Sequence, residues 1–278
     1  MRAGKLSLLL LLLSNLSLFS FAQDKPQPYA ALNGNWRLAG GENPSQYPFL
    51  AMAMGVSGNM VYGEGNLQVN CSSGGGMSIS FFSTGQIASD GSFLLTNSSS
   101  LTQIVIRGKV PAEGASAWSG SYSASNLTIR GTDTSKSCAD VSGDFDATLY
   151  PPLDAIYTGT ITGKGLAPGI SVSAAITQGA FTSSKRSESG PVYFYTPLSA
   201  TITVSGLSSP LSVTIPVSPD TRIAGDTVML TYSMDDGSVL MLAGSFIDSS
   251  QSALQVNFTI SGNGKLGEVK GSGKLTRQ

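Results

Sequence analysis

Apolar residues recur at every second position through most of this chain, a spacing that suits half-buried strands and not helices. Leu254-Gln255-Val256-Asn257-Phe258-Thr259-Ile260, Thr201-Ile202-Thr203-Val204 and Leu211-Ser212-Val213-Thr214-Ile215 each place oily side chains on one face and polar ones on the other. Leu101-Thr102-Gln103-Ile104-Val105-Ile106 begins the same way. Turn signals separate such runs: Ser89-Asp90-Gly91, Asp235-Asp236-Gly237 and Gly262-Asn263-Gly264. The pattern predicts about 14 to 17 strands and no helix of three turns. Phe49 to Val56 is rich in Ala and Met, a composition that suits a helix. Pro48 and Gly55 fence it to a short run, and it is read as a strand.

The expected fold is all-β: two tandem antiparallel domains, each a β-sandwich or small β-barrel, behind a signal peptide. Laying Gly108 on Gly244 brings Val110 onto Phe246, Ala117 onto Ala253, Trp118 onto Leu254 and Tyr122 onto Phe258 without a gap. Each half also has an upstream D-G-S turn, Asp90-Gly91-Ser92 and Asp236-Gly237-Ser238, at different distances. Pro151-Pro152 cannot continue a central strand and suits a linker. The expected boundaries are 1–22 for the signal, 23–31 for an N-terminal tail, and 32–150 and 153–278 for the domains.

Arg2 and Lys5, an apolar run from Leu6 to Phe21, and the small-x-small site Ser20-Phe21-Ala22 mark residues 1–22 as a cleaved secretory signal. The alternative is an uncleaved anchor, but the run is short and holds Asn15. The expected destination is secreted, or periplasmic and cell-envelope, with no transmembrane span in the mature chain. Export sets an oxidising compartment, so Cys71 and Cys138 are expected to form a disulfide rather than stay as buried thiols. Closing that loop is worth roughly 4 kcal/mol in the chain-entropy model.

Composition then narrows the chemistry. The chain holds no histidine, which excludes imidazole-dependent triads, Cys-His pairs and His-based zinc sites. Sixteen basic residues balance 17 acidic ones, so nothing electrostatic points to nucleic acid. Gly262-Asn263-Gly264-Lys265-Leu266-Gly267 fits G-x-G-x-x-G, but no room for a βαβ unit follows it, and it reads as a hairpin turn.

Three sets of residues remain as candidates. Asp144 and Asp146 share a strand face within the densest acidic stretch, and are either a solvated face or ligands for a structural calcium. No other cofactor is expected. Tyr193 and Tyr195 share one face of Val192-Tyr193-Phe194-Tyr195, either packed in a core or exposed to stack on a sugar or meet a protein. A hydrolase needs only two facing carboxylates, and among 17 acidic residues such pairs arise by accident.

Thr148-Leu149-Tyr150-Pro151-Pro152-Leu153 with Tyr157-Thr158-Gly159-Thr160, the D-G-S hairpins and the ending Gly271-Ser272-Gly273-Lys274-Leu275-Thr276-Arg277 resemble a group of secreted bacterial β-rich repeat proteins. That resemblance covers most of the mature chain and carries no activity with it. Gly34-Asn35-Trp36 is similar to the G-x-W opening of lipocalin-like and avidin-like barrels, which implies a Trp packed at a barrel's closed end.

The function expected from all this is an exported, non-enzymatic β-scaffold that binds a protein or glycan partner through its surface. The alternatives are a lipocalin-like calyx for a small apolar ligand, a carboxylate-dependent hydrolase, and an outer-membrane barrel, which lacks aromatic girdles here.

Overall fold

The computed structural model describes residues 29–41, 46–71, 75–97, 102–127, 138–163, 166, 170–179, 182–185, 192–195, 197–218, 221–262 and 266–278, with the backbone alone at 182–185 and 192–195. The expected signal peptide and most of the tail lie outside them. Among these residues there is no α-helix; a short 3-10 turn, Ala30–Leu32, leads into the first strand.

The first half is a closed eight-stranded barrel. Its strands are β1 (Gly34–Ala39), β2 (Phe49–Ser57), β3 (Met60–Asn70), β4 (Gly76–Ile87), β5 (Ser92–Asn97), β6 (Gln103–Lys109), β7 (Ala117–Ser125) and β8 (Val141–Tyr150). Each pairs antiparallel with the next, and β1 closes the ring on β8 through Asn35↔Tyr150 and Trp36↔Leu149. Closure leaves no long free edge, and it resolves the sandwich-or-barrel question for this half.

Side chains fill the interior of the ring. Trp36 of the G-x-W segment is fully buried and donates its indole N–H to the Leu32 carbonyl at 2.8 Å. Trp118 meets Trp36, Phe93 and Phe145 edge-on, at centroid distances of 6.0, 5.5 and 5.1 Å. Edge-on contact sets the positive rim of one ring against the negative face of another, which adds to the area each ring removes from water.

The second half begins three residues later. Its strands are β9 (Asp154–Thr162), β10 (Ile170–Gln178), β11 (Thr182–Lys185), β12 (Val192–Tyr195), β13 (Leu198–Ser205), β14 (Leu211–Ile215), β15 (Arg222–Ala224), β16 (Thr227–Ser233), β17 (Val239–Phe246), β18 (Ala253–Ser261) and β19 (Val269–Arg277). Nine of them form one curled sheet, ordered β14-β13-β10-β9-β19-β18-β17-β16-β15. The chain's last strand returns to β9, as β8 returns to β1. The ends of this sheet do not pair as a ladder. A single bridge, Pro197↔Arg222, joins β15 to the residue just before β13. β11 and β12 form a separate hairpin.

The alignment of Gly108 on Gly244 carries the β6–β7 ladder onto the β17–β18 ladder in register. Gln103↔Ser125 falls on Val239↔Ser261, and Gly108↔Gly120 on Gly244↔Val256. The two D-G-S turns do not correspond in the same way. The first opens β5, whereas the second opens β17, the strand that the alignment lays on β6. Both turns are built alike even so: Asp90 and Asp236 each accept the backbone N–H two residues on, in an Asx turn.

β2 departs from alternation, with every residue from Phe49 to Val56 buried. Leu50, Met52, Met54 and Val56 belong to the barrel core. The other face carries Ala51 and Ala53, and on it sits the turn after β15. A strand covered on both faces reads as a continuous apolar run, which explains the helix-like composition of this segment.

Pro151-Pro152 joins the halves but does not leave them separate. Gln251 donates its amide to the Pro151 carbonyl at 2.7 Å. The Gln178 side-chain oxygen accepts from Leu153 N–H at 2.9 Å and from the Asn35 amide at 2.8 Å. Tyr150, the last residue of β8, is buried in the second core and stacks on Phe246.

Candidate functional site

Among the described residues, the two buried carboxyls, Glu64 and Asp226, lie in the strip where the halves meet. Arg222 opens β15, and its guanidinium donates to Glu64 of β3 at 2.8 Å and to the Ser80 hydroxyl of β4 at 3.0 Å. The turn after β15 presses on the first barrel at Gly225, whose φ is +58°. A Cβ there would stand 2.6 Å from the Trp36 carbonyl oxygen and 2.7 Å from Ala51 Cβ, so only glycine fits. Asp226 follows, fully buried, with the charge of Arg37 of β1 partly offsetting its desolvation. Each half thus supplies one carboxylate and one guanidinium to the contact.

Burial pushes both carboxyls up to about 7, against the opposing pull of Arg222 on Glu64 and of Arg37 on Asp226. Only one oxygen of Glu64 is used by the ion pair. Glu64 Oε2 and Asp226 Oδ2 are buried with no hydrogen-bond partner among the described residues.

Beside this strip lies a groove of about 780 Å³ with a wall from each half. The first wall is the outer face of β3 and β4, where Asn66 pairs with Ser80 and Gln68 with Ser78. Alternation sends these polar side chains outward because Leu67 and Val69 fill the barrel. The second wall is the outer face of β16, β17 and β18. Two rows cross it, Thr227–Ser245–Gln255 and Met229–Ala243–Asn257. Tyr47 stands at the groove, its hydroxyl 2.6 Å from where a Cβ on Gly76 would lie. Among the described residues no charged side chain lines it. Its polar lining can donate and accept hydrogen bonds in either sense, and Met229, Ala243 and Ile247 add apolar contact.

Sequence reasoning alone did not single out any of these groove residues. Alternation marks Asn66, Gln68, Ser78, Ser80, Gln255 and Asn257 as outward polar positions, but only the strand register brings Asn66 beside Ser80 and sets β3–β4 opposite β16–β18.

The residues that the sequence did single out lie elsewhere. Cys71 and Cys138 form a disulfide, which ties the end of β3 to the segment entering β8. Asp144 and Asp146 point outward from β8, opposite Ser121 and Ser119, and Ser119 donates to Asp146 at 2.6 Å. Arg107 stands in the same cross-strand row as Asp144. Among the described residues, no three His, Cys, Asp or Glu side chains are grouped to hold a metal. Tyr193 and Tyr195 pair through their backbone with Ser184 and Thr182 in the β11–β12 hairpin. Their side chains, and so the expectation placed on them, lie outside the described residues. The G-x-G-x-x-G segment falls between β18 and β19, which pair antiparallel; its residues 263–265 lie outside the described residues.

No protein family, curated protein or solved structure matches this chain. Among the described residues no helix is long and apolar enough to cross a membrane.

Proposed function

We propose that this protein is an exported, non-enzymatic scaffold that binds an uncharged glycan in the groove between its two halves. The observation that carries this reading is the lining: amides and hydroxyls from both walls, one Tyr, and no formal charge among the described residues. Sugar hydroxyls both donate and accept, and paired amide and hydroxyl side chains answer them in kind. A protein partner would be expected to find buried aromatic and Arg anchors, and the groove offers one exposed Tyr. A charge-free lining gives no attraction for polyanions. The two carboxyls of raised pKa are buried against arginines and do not line the groove, which supports binding rather than hydrolysis. The disulfide fits an oxidising, extracytoplasmic setting.

The test is titration calorimetry with cellohexaose, maltohexaose and chitohexaose, on the wild type and on the double variant Gln255→Ala/Asn257→Ala. At least one oligosaccharide should bind. The double variant should bind it roughly thirtyfold more weakly, as loss of two hydrogen bonds of about 1 kcal/mol each predicts, with unchanged melting temperature. If all three fail to bind at millimolar concentration, or if the double variant binds as the wild type does, the reading is wrong.

A further inference from the structure

Resting on that glycan reading, we infer that the groove selects sugars bearing an N-acetyl group, and that Ser80 with Arg222 determines the choice. A guanidinium carries donors only, so in the 3.0 Å contact between Arg222 Nη2 and Ser80 Oγ the hydroxyl must accept. With a lone pair held by the cation, Ser80 is polarised as a donor, and its proton is available to the groove it lines. Arg222 itself is pinned by Glu64, so its guanidinium does not swing to seek another acceptor.

Two further observations set the chemistry of what Ser80 meets. Above about pH 7, where Glu64 is ionised, the ion pair neutralises Arg222, so the ligand's acceptor need not be an anion. Met229 pairs with Arg222 in the β15–β16 ladder and with Ala243 across β16–β17, and both line the groove. Register therefore places an apolar patch beside a polarised donor. An acetamido group presents those two needs together: a strong neutral acceptor in its carbonyl oxygen, and a methyl that gains from contact with Met229 and Ala243. A plain hydroxyl at the same sugar position would leave the apolar patch unfilled.

The experiment compares chitohexaose with cellohexaose, which share length and linkage and differ in acetamido against hydroxyl at each ring. Calorimetric titration of the wild type should show chitohexaose binding at least about tenfold tighter, for one hydrogen bond of about 1 kcal/mol plus one buried methyl of about 0.8 kcal/mol. Ser80→Ala should weaken chitohexaose about fivefold or more while leaving cellohexaose within about twofold. Met229→Gln, which keeps the size of the side chain but not its apolarity, should lower chitohexaose affinity alone. Equal affinity for the two sugars, a preference for cellohexaose, or a Ser80→Ala variant that loses both sugars alike would overturn the acetamido inference. Maltohexaose separates the two levels of failure. If it binds and chitohexaose does not, only the selectivity is wrong; if none of the three binds, the glycan reading falls too.

Discussion

Glu64 and Arg222 lie 158 residues apart in the chain and form a 2.8 Å ion pair that joins the barrel to the curled sheet. Glu64 is almost wholly buried while Arg222 keeps partial contact with water, so the carboxylate bears most of the desolvation cost. Replacing Arg222 by Met should therefore destabilise the protein at pH 8 by about 3 kcal/mol, because it strands a buried charge. The double replacement Glu64→Gln/Arg222→Met should recover most of that loss. Urea denaturation of the two variants decides the point; equal midpoints for both would show that the pair does not couple the halves.

The same burial makes stability depend on pH with a definite sign. Glu64 and Asp226 titrate near 7 when folded and near 4.5 and 3.8 when free. Between about pH 4.5 and 7 the folded protein holds protons that the unfolded chain has released. Their contribution is thus fully present below the unfolded values and is lost as pH rises through 7. Each group is worth on the order of 3 kcal/mol across that window. The urea midpoint should fall steadily from pH 5 to pH 8. Asp248, held down to about 2 by hydrogen bonds from Ser250 and Ser252, acts in the opposite sense but only in strong acid, outside this range. A midpoint that is flat or climbs between pH 5 and 8 contradicts the assignment, and Glu64→Gln/Asp226→Asn should flatten the slope.

Gly225 and Gly58 share nearly the same positive φ, +58° and +61°. They differ in surroundings: a Cβ at Gly58 meets nothing within 4 Å, while one at Gly225 collides with Trp36 and Ala51. Alanine at Gly58 should cost about 1 kcal/mol for the left-handed backbone alone. Alanine at Gly225 should cost at least about 2 kcal/mol more, since the turn must lift off the barrel. Thermal melting of the two variants side by side isolates the packing contribution, and similar melting temperatures would refute it.

These interface features mark where sequence reading stops. Alternation in Leu254–Ile260 or Thr201–Val204 reports a local rule, that every second side chain faces one core, and the strands found there obey it. The Gly108-on-Gly244 alignment reached further, because a hairpin's register follows from its own length and turn. Glu64, Arg222 and Asp226 give no such signal. Each looks like a solvated charge until the second half folds over the first. Phe49 to Val56 did carry a trace of that contact, in its lack of any polar position, but a run buried on two sides has no period to read. The groove depends on which strand lies beside which, and that is a property of closure rather than of any one segment.

The disulfide offers a last test, confined to the first half. Cys71 follows β3 directly, and Cys138 enters β8 after a connection from β7, so the link fastens two hairpin ends of the barrel to each other. Both residues are buried, with Met77 Sδ 3.9 Å from Cys138 Sγ, so a mild reductant should act slowly on the folded protein. The double variant Cys71→Ser/Cys138→Ser should lose about 2–5 kcal/mol, from the freed loop in the unfolded state and from two hydroxyls placed in an apolar site. The Cys71→Ala/Cys138→Ala variant separates those causes, since it frees the loop without burying hydroxyls. It should lose less than the Ser variant yet remain well below wild type in urea denaturation. A midpoint for the Ala variant equal to that of wild type would mean that closure of the barrel, not the covalent link, already holds these ends together.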